Sequence, residues 1–325
     1  MARADLLLAL VRSGAGGDDL AFRRAAEALI AEEEGKKHNV LASQLTEALR
    51  RRRPGAASNV TNLARNDAAR SLFYEQEPQR RLSELVLPSD ARQVVSQLVE
   101  EHHRRDLLRS HGVEPRHRLL FIGPPGGGKT SLAEAMATEL AVPLVSVRYE
   151  GLIGSFLGET AARMDALFET VRVQPCVLFF DEFDVVAKER GDTHETGEIK
   201  RVVSSLLLQV DRLPSHVIVI AATNHAELLD RAVWRRMQVR LELPYPTRAG
   251  KTEWLQAWAS RTGVSLGVEP RTIADRLGRV SFAELEEFAL DLQRRSILSG
   301  PEPDATAVAQ QLLKQWSNRA KVSGE

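Results

Sequence analysis

The chain has 325 residues, enough for a full hydrophobic core and for two or three compact units. Its 43% hydrophobic and 27% charged content is ordinary for a globular protein, and 44 basic residues balance 44 acidic ones, so charge gives no case for nucleic acid or an anionic membrane surface. The single cysteine, Cys176, excludes an intrachain disulfide and fits a reducing compartment, and its place in the apolar run Cys176 to Phe180 predicts a buried, inert thiol.

The first twelve residues carry an apolar run between Asp5 and Arg12 that is too short for an export signal, and no later stretch reaches the ~20 apolar residues of a membrane span. An amphipathic helix in a cytoplasmic protein is the expectation. Asp18 and Asp19 can cap a helix through Leu20, Phe22, Ala25, Ala26, Leu29 and Ile30 that ends at Gly35, and a second stripe runs through Val40, Leu41, Leu45, Ala48 and Leu49. Residues 1–53 therefore read as a small all-α domain, closed by Arg50 to Arg53 as a solvated helix end. Residues 54–78, opening on Pro54-Gly55, read as a linker, with 60–78 able to hold a short helix. Asp90 is then expected to cap a helix carrying Val94, Val95, Leu98 and Val99, with His102 and His103 on its surface rather than in a metal site.

Leu119-Leu120-Phe121-Ile122 leads into Gly123-Pro124-Pro125-Gly126-Gly127-Gly128-Lys129-Thr130, and Ser131 to Met136 are strong helix formers. In this context of strand, glycine loop and helix, small residues let backbone N–H groups turn inward around a polyphosphate, and the helix aims its positive end at the same place. Gly123 to Ser131 are thus candidate nucleotide contacts, with Lys129 reaching the outer phosphates and the Thr130 hydroxyl ligating magnesium.

Apolar runs at Leu119 to Ile122, Leu144 to Tyr149, Val177 to Phe180, Val217 to Ala221 and Val239 to Leu243 alternate with helical segments. That alternation predicts an α/β fold, a parallel sheet flanked by helices, with its chemistry at the carboxyl ends of the strands. One strand ends in Asp181-Glu182: Asp181 is expected to hold the magnesium through its water shell, and Glu182 to polarise a water for attack on the γ-phosphate. Another ends in Thr223-Asn224, whose amide suits orienting that water or holding the γ-phosphate. After Pro244-Tyr245-Pro246 the pattern is helical, through Trp254 to Trp258, Ile273 to Leu277, Phe282 to Leu298 and Ala305 to Trp316. The expected organisation is 1–53 helical, 54–78 linker, 79–246 nucleotide-binding α/β domain and 247–325 α-helical lid.

The glycine loop, Phe179-Phe180-Asp181-Glu182, Ala221-Ala222-Thr223-Asn224 and Leu229 to Arg236 together resemble an AAA+ ATPase of the AAA subgroup, from about Leu82 to Leu298. The resemblance implies ATP and Mg2+ as cofactors, ATP hydrolysis, and a homo-oligomeric ring, a hexamer. It also implies that Arg235 and Arg236 act in trans on the neighbouring subunit's nucleotide, like the paired arginines of the meiotic and microtubule-severing clade. Phe156-Leu157-Gly158 is similar to the loop that lines the central pore in members that thread polypeptide, and 188–198 takes the position of a second pore loop. Met237 stands where relatives with paired arginines often carry phenylalanine, and Ser281 to Leu285 begins a lid helix without the arginine that many wider AAA+ proteins place there. The expected output is work on a protein substrate, with the N-terminal helices docking that substrate or a partner effector such as a protease. A regulatory or scaffolding switch that threads nothing and a DNA-acting loader are the rivals.

Overall fold

The computed structural model describes residues 72–149, 157–184, 196–300 and 304–322, with residues 26 and 28–30 in the N-terminal region. The chain divides into two compact units, Met1–Asn62 and Leu63–Glu325. In the first, residues 28–30 are helical and Leu29 is buried. The remainder of the expected 1–53 domain, the run Arg50 to Arg53 and the linker up to residue 71 lie outside the described residues.

The second unit is an α/β layer followed by a helical one. Among the described residues its strands are β1 (Phe73–Gln76), β2 (Arg118–Ile122), β3 (Leu144–Val147), β4 (Cys176–Phe180), β5 (Val217–Thr223) and β6 (Val239–Glu242), in the order β1-β3-β4-β5-β2-β6. From β3 to β6 every pairing is parallel, with Leu144 opposite Val177, Cys176 opposite Val217, Leu119 opposite Ile220, and Leu119 opposite Val239. The exception is β1, which pairs antiparallel with β3, Phe73 opposite Val147 and Gln76 opposite Leu144. Within the expected linker, Phe73-Tyr74-Glu75-Gln76 is a strand that closes the sheet edge, its hydrogen bonds to β3 overriding a weak local preference; residues 60–71, where a short helix is expected to fit, lie outside the described residues.

Near-continuous apolar strands are what a sheet covered on both faces requires. Leu120, Leu178, Phe180, Val219 and Ala221 point into one core, with Met164, Phe168 and Leu206. Their neighbours Leu119, Phe121, Val177, Phe179, Ile218 and Ile220 point into the other, with Val95, Leu98, Leu132 and Met136. The flanking helices are α1 (Ser89–His103), α2 (Arg105–Ser110), α3 (Lys129–Glu139), α4 (Leu157–Val171), α5 (Thr196–Asp211) and α6 (Arg231–Arg236). Pro88, not Asp90, occupies the cap position of α1, and Asp90 sits in the first turn, where its charge still suits the helix dipole. His102 is likewise not on the surface: it is buried against the Arg116 carbonyl, 2.8 Å from Nε2, because α1 packs on the strand that Arg116 precedes. Burial keeps its imidazole below the usual histidine value. Cys176 is buried as expected, its thiol pushed up to about 12 by that burial.

Among the described residues four further helices follow: α7 (Arg248–Thr262), α8 (Pro270–Arg276), α9 (Phe282–Leu298) and α10 (Ala305–Val322). They enclose a separate core of Leu255, Trp258, Ile273, Leu285, Phe288, Leu312 and Trp316, with Phe288 and Trp316 edge to face at 5.7 Å. A capping box starts α9, the Ser281 hydroxyl accepting the Glu284 N–H at 3.2 Å and the Glu284 carboxylate accepting the Ser281 N–H at 2.7 Å. No helix among the described residues is long and apolar enough to cross a membrane.

Candidate active site

Three adjacent strands, β4, β5 and β2, end side by side, and the predicted chemistry collects at that edge. The turn after β2 depends on its glycines. Gly128 has φ of 91°, a left-handed backbone that L side chains resist, and a Cβ at Gly123 would stand 2.1 Å from the Leu243 carbonyl oxygen. The loop thereby folds against the sheet and starts α3 at Lys129. Lys129 is buried, and its ammonium donates to the carbonyls of Gly123 (2.8 Å) and Pro124 (2.9 Å) and to Asn224 Oδ1 (2.6 Å). Burial holds it below the usual lysine value, with Asp181 and then Asp184 pulling the other way. The glycine loop and the tip of β5 are thus joined through one cation.

A second link joins the loop to β4. Asp181 accepts from the Thr130 hydroxyl at 3.0 Å through one oxygen and from the Glu182 N–H at 3.0 Å through the other, which fixes the plane of its carboxylate. Glu182 itself is exposed at φ of 48°, a conformation costing about 1–2 kcal/mol for a residue with a Cβ. The neighbours hold it there. Phe183 turns back into the core, edge to face with Phe180 at 5.8 Å, and its N–H donates to the Ala222 carbonyl at 2.8 Å. The carboxylate of Glu182 is therefore turned out toward the cleft while both flanking residues are anchored. Magnesium fits this site, since Thr130 and Asp181 offer a hydroxyl and a carboxylate, hard oxygen donors, at the same point.

The cleft above these groups encloses about 380 Å³. Pro125 to Ser131, Asp181, Glu182 and Asn224 line one side, and Leu85, Val86, Leu87, Trp254 and Phe282 supply apolar surface elsewhere. Its closure involves the lid directly, because the Ala283 N–H donates to the Gly126 carbonyl at 3.2 Å. Gly126 has φ of 69°, and a Cβ there would lie 2.7 Å from the Ser281 hydroxyl.

Among the expected residues, Gly123 to Ser131, Asp181, Glu182 and Asn224 come together. Arg235 and Arg236 do not; they end α6, and the first is exposed while the second donates to Asp211 at 2.7 Å and to the Ala232 carbonyl at 3.2 Å. Arg118 holds the other Asp211 oxygen at 2.6 Å. Phe156 lies outside the described residues, as do 188–195 of the second expected pore loop; Leu157 and Gly158 open α4, and residues 196–198 open α5.

The sequence reading missed Asp184, which accepts from the Thr223 hydroxyl at 2.7 Å and so ties β5 to the loop after β4. A third acid two residues beyond Glu182 was the available signal. Tyr149, just past β3, is pushed above the usual phenol value by burial and then by Asp181, Asp184 and Glu182, so it neighbours the same acids. The wall formed by Leu85 to Leu87, Trp254, Arg261 and Phe282 carried no signal, because only folding brings those segments to the loop.

The family described as "ATPase family associated with various cellular activities (AAA)" matches residues 119–245. The chain is 40% identical over 333 residues to an uncharacterized AAA family ATPase, y4kL, of Sinorhizobium fredii, covering 99% of each. It is 30% identical over 241 residues to the ATP-dependent zinc metalloprotease FtsH of Alkalihalophilus pseudofirmus, covering 72% of this chain and 35% of that protein. With the cell division cycle protein 48 homolog of Archaeoglobus fulgidus it shares 33% over 223 residues, 67% of this chain and 30% of the other.

Proposed function

This chain belongs to the AAA family of ATPases and hydrolyses ATP; from that premise we propose that it acts as a hexameric ring whose ATP cycle draws a protein substrate through a central pore. Family members typically oligomerise, and they generally bind ATP with magnesium. Here Thr130 would hold the ion directly and Asp181 through its water shell, and the ion would supply neutralising charge at the outer phosphates.

Within one subunit Lys129 holds the outer phosphates, Glu182 polarises the attacking water and Asn224 orients it. Completion of the site falls to the neighbour. The observation that carries this reading is the contrast between two adjacent arginines: Arg236 is tied to Asp211, whereas Arg235 is exposed and pairs with no described residue of its own chain. Arg235 is accordingly the finger that reaches the neighbour's γ-phosphate, as in the meiotic and microtubule-severing clade, and Arg236 sets the end of α6 in place. Such fingers contribute about 10³- to 10⁵-fold in rate.

Phe156, Leu157 and Gly158 serve as the pore contact, the aromatic ring gripping extended polypeptide of any sequence. Relationship to an ATP-dependent metalloprotease supports protein as the load. Docking of that load, or of a separate effector, is assigned in this reading to residues 1–53, which precede the α/β layer and the lid in the chain.

The ring is tested by mixing inactive subunits. Arg235→Ala and Asp181→Asn proteins, each nearly inert alone, should recover measurable ATP turnover when combined, because some interfaces then pair an intact Asp181 with an intact Arg235. No recovery at any ratio, with mixed rings verified by a tag on one subunit, overturns the action in trans.

A further inference from the structure

We propose that Arg80 binds the inner phosphates of the nucleotide, those that ADP shares with ATP, and that the extended segment after β1 exists in part to deliver it. Arg80 lies fifty-one positions before its partner Ser131 and belongs to none of the sequence motifs.

The segment is pinned to α3 by its backbone. The N–H groups of Gln79 and Arg80 both donate to one oxygen of Glu134, at 3.1 and 3.2 Å, and the Leu82 N–H donates to Glu139 at 3.2 Å. Two acids on the phosphate-loop helix thus fix where this stretch runs. The consequence is the placement of a cation: Arg80 Nη1 donates to the Ser131 hydroxyl at 2.8 Å, and Nε stands 3.9 Å from the other oxygen of Glu134. A guanidinium has five N–H donors. Among the described residues only those two contacts engage it, and Arg80 lines the cleft.

Its position along the cleft follows from what marks each end. Lys129 bonded to Asn224 and Thr130 bonded to Asp181 mark the outer-phosphate end. Leu85, Val86, Leu87 and Trp254 supply the apolar surface suited to a base. Arg80 comes from the same segment as Leu85 to Leu87 and touches Ser131, two residues past Lys129, so it meets a bound polyphosphate between those ends. An arginine fork matches phosphate oxygens two at a time, and a charged acceptor makes a bond roughly twice as strong as a neutral one. Ser131 is a neutral acceptor, and the Glu134 contact is long. A phosphate therefore gains the guanidinium without breaking a close ion pair.

The inference rests on the reading of this cleft as the nucleotide site, and its test separates the two. Equilibrium binding of ADP and of ATP with magnesium is measured on the full chain carrying Arg80→Ala, Arg80→Lys or Lys129→Ala. Arg80→Ala should weaken ADP and ATP by the same factor, about tenfold, since the lost contact is to phosphates both possess. Steady-state kinetics should place the loss in KM more than in kcat. Arg80→Lys, which keeps the charge and loses the fork, should recover part of the affinity and also covers the case in which the alanine variant fails to fold. An ADP affinity within twofold of the parent, or a loss confined to ATP, overturns the role of Arg80 while Lys129→Ala still impairs ATP binding. If Lys129→Ala leaves nucleotide affinity intact, the cleft itself has been misassigned.

Discussion

At the scale of single residues, the site is organised by side chains that each join two elements. Lys129 spans from the glycine loop to Asn224, and Asp181 spans from Thr130 to the backbone of Glu182. Because these links are made before any reaction, they preorganise the groups proposed to meet the phosphates. The Glu182 carboxylate is left outside the network, exposed and on a left-handed backbone, which suits its proposed role of acting on a water. Strain of this kind persists where the surroundings hold it, and Phe180 and Phe183 do so here. Glu182→Gln keeps the shape and removes the basicity, so nucleotide affinity should stay near the parent value while single-turnover hydrolysis falls by about 10²- to 10⁴-fold. Hydrolysis at the parent rate in that variant would remove Glu182 from its role.

At the scale of elements, the lid is coupled to the nucleotide loop through a contact only glycine permits. Gly126 accepts from the first turn of α9 at Ala283, and its positive φ brings the loop against Ser281. A methyl group at Gly126 would meet the Ser281 hydroxyl at 2.7 Å and the Ala283 methyl at 2.8 Å, so the lid helix must retreat or the loop must change its backbone. Gly126→Ala should therefore lower nucleotide affinity by at least tenfold and speed hydrogen exchange at the start of α9, with the core of α10 unaffected. Unaltered exchange around residues 281–286 together with parent-like affinity would show that the two elements move independently. The arginine helix shows a similar logic. Asp211 at the end of α5 pairs with both Arg118 and Arg236, which ties α6 to the strand that leads into the glycine loop. Its partners are partly exposed, so the pairings add little stability and chiefly set position.

For the whole molecule, the question is what ATP turnover is coupled to. Threading through a ring makes the aromatic residue before α4 as necessary as the site itself, whereas an assembly switch that reports ATP needs the site alone. Phe156→Ala should abolish function in cells as fully as Lys129→Ala does, measured by complementation at matched protein levels. Intact function in the Phe156 variant beside a null Lys129 variant would overturn threading and favour the switch. A DNA-acting loader has weaker support, since basic and acidic residues balance across the chain.

The nucleotide site was legible in the sequence because its chemistry is local. Glycines, a lysine and a threonine at fixed spacing make a phosphate cradle wherever a strand feeds a helix, and acids at strand tips reveal themselves by following apolar runs. The alternation of those runs with helical segments likewise determined the parallel sheet, since strands buried on both faces must be apolar throughout. Other features depended on distance in space. That Phe73 to Gln76 closes the sheet as an antiparallel edge, that His102 is buried, that Arg236 is held by Asp211 while Arg235 is exposed, and that Arg80 is carried to Ser131 were decided by tertiary contacts. In each case the partner lies at least fourteen positions away, and no periodicity or short motif records a pairing that forms only when separate elements pack.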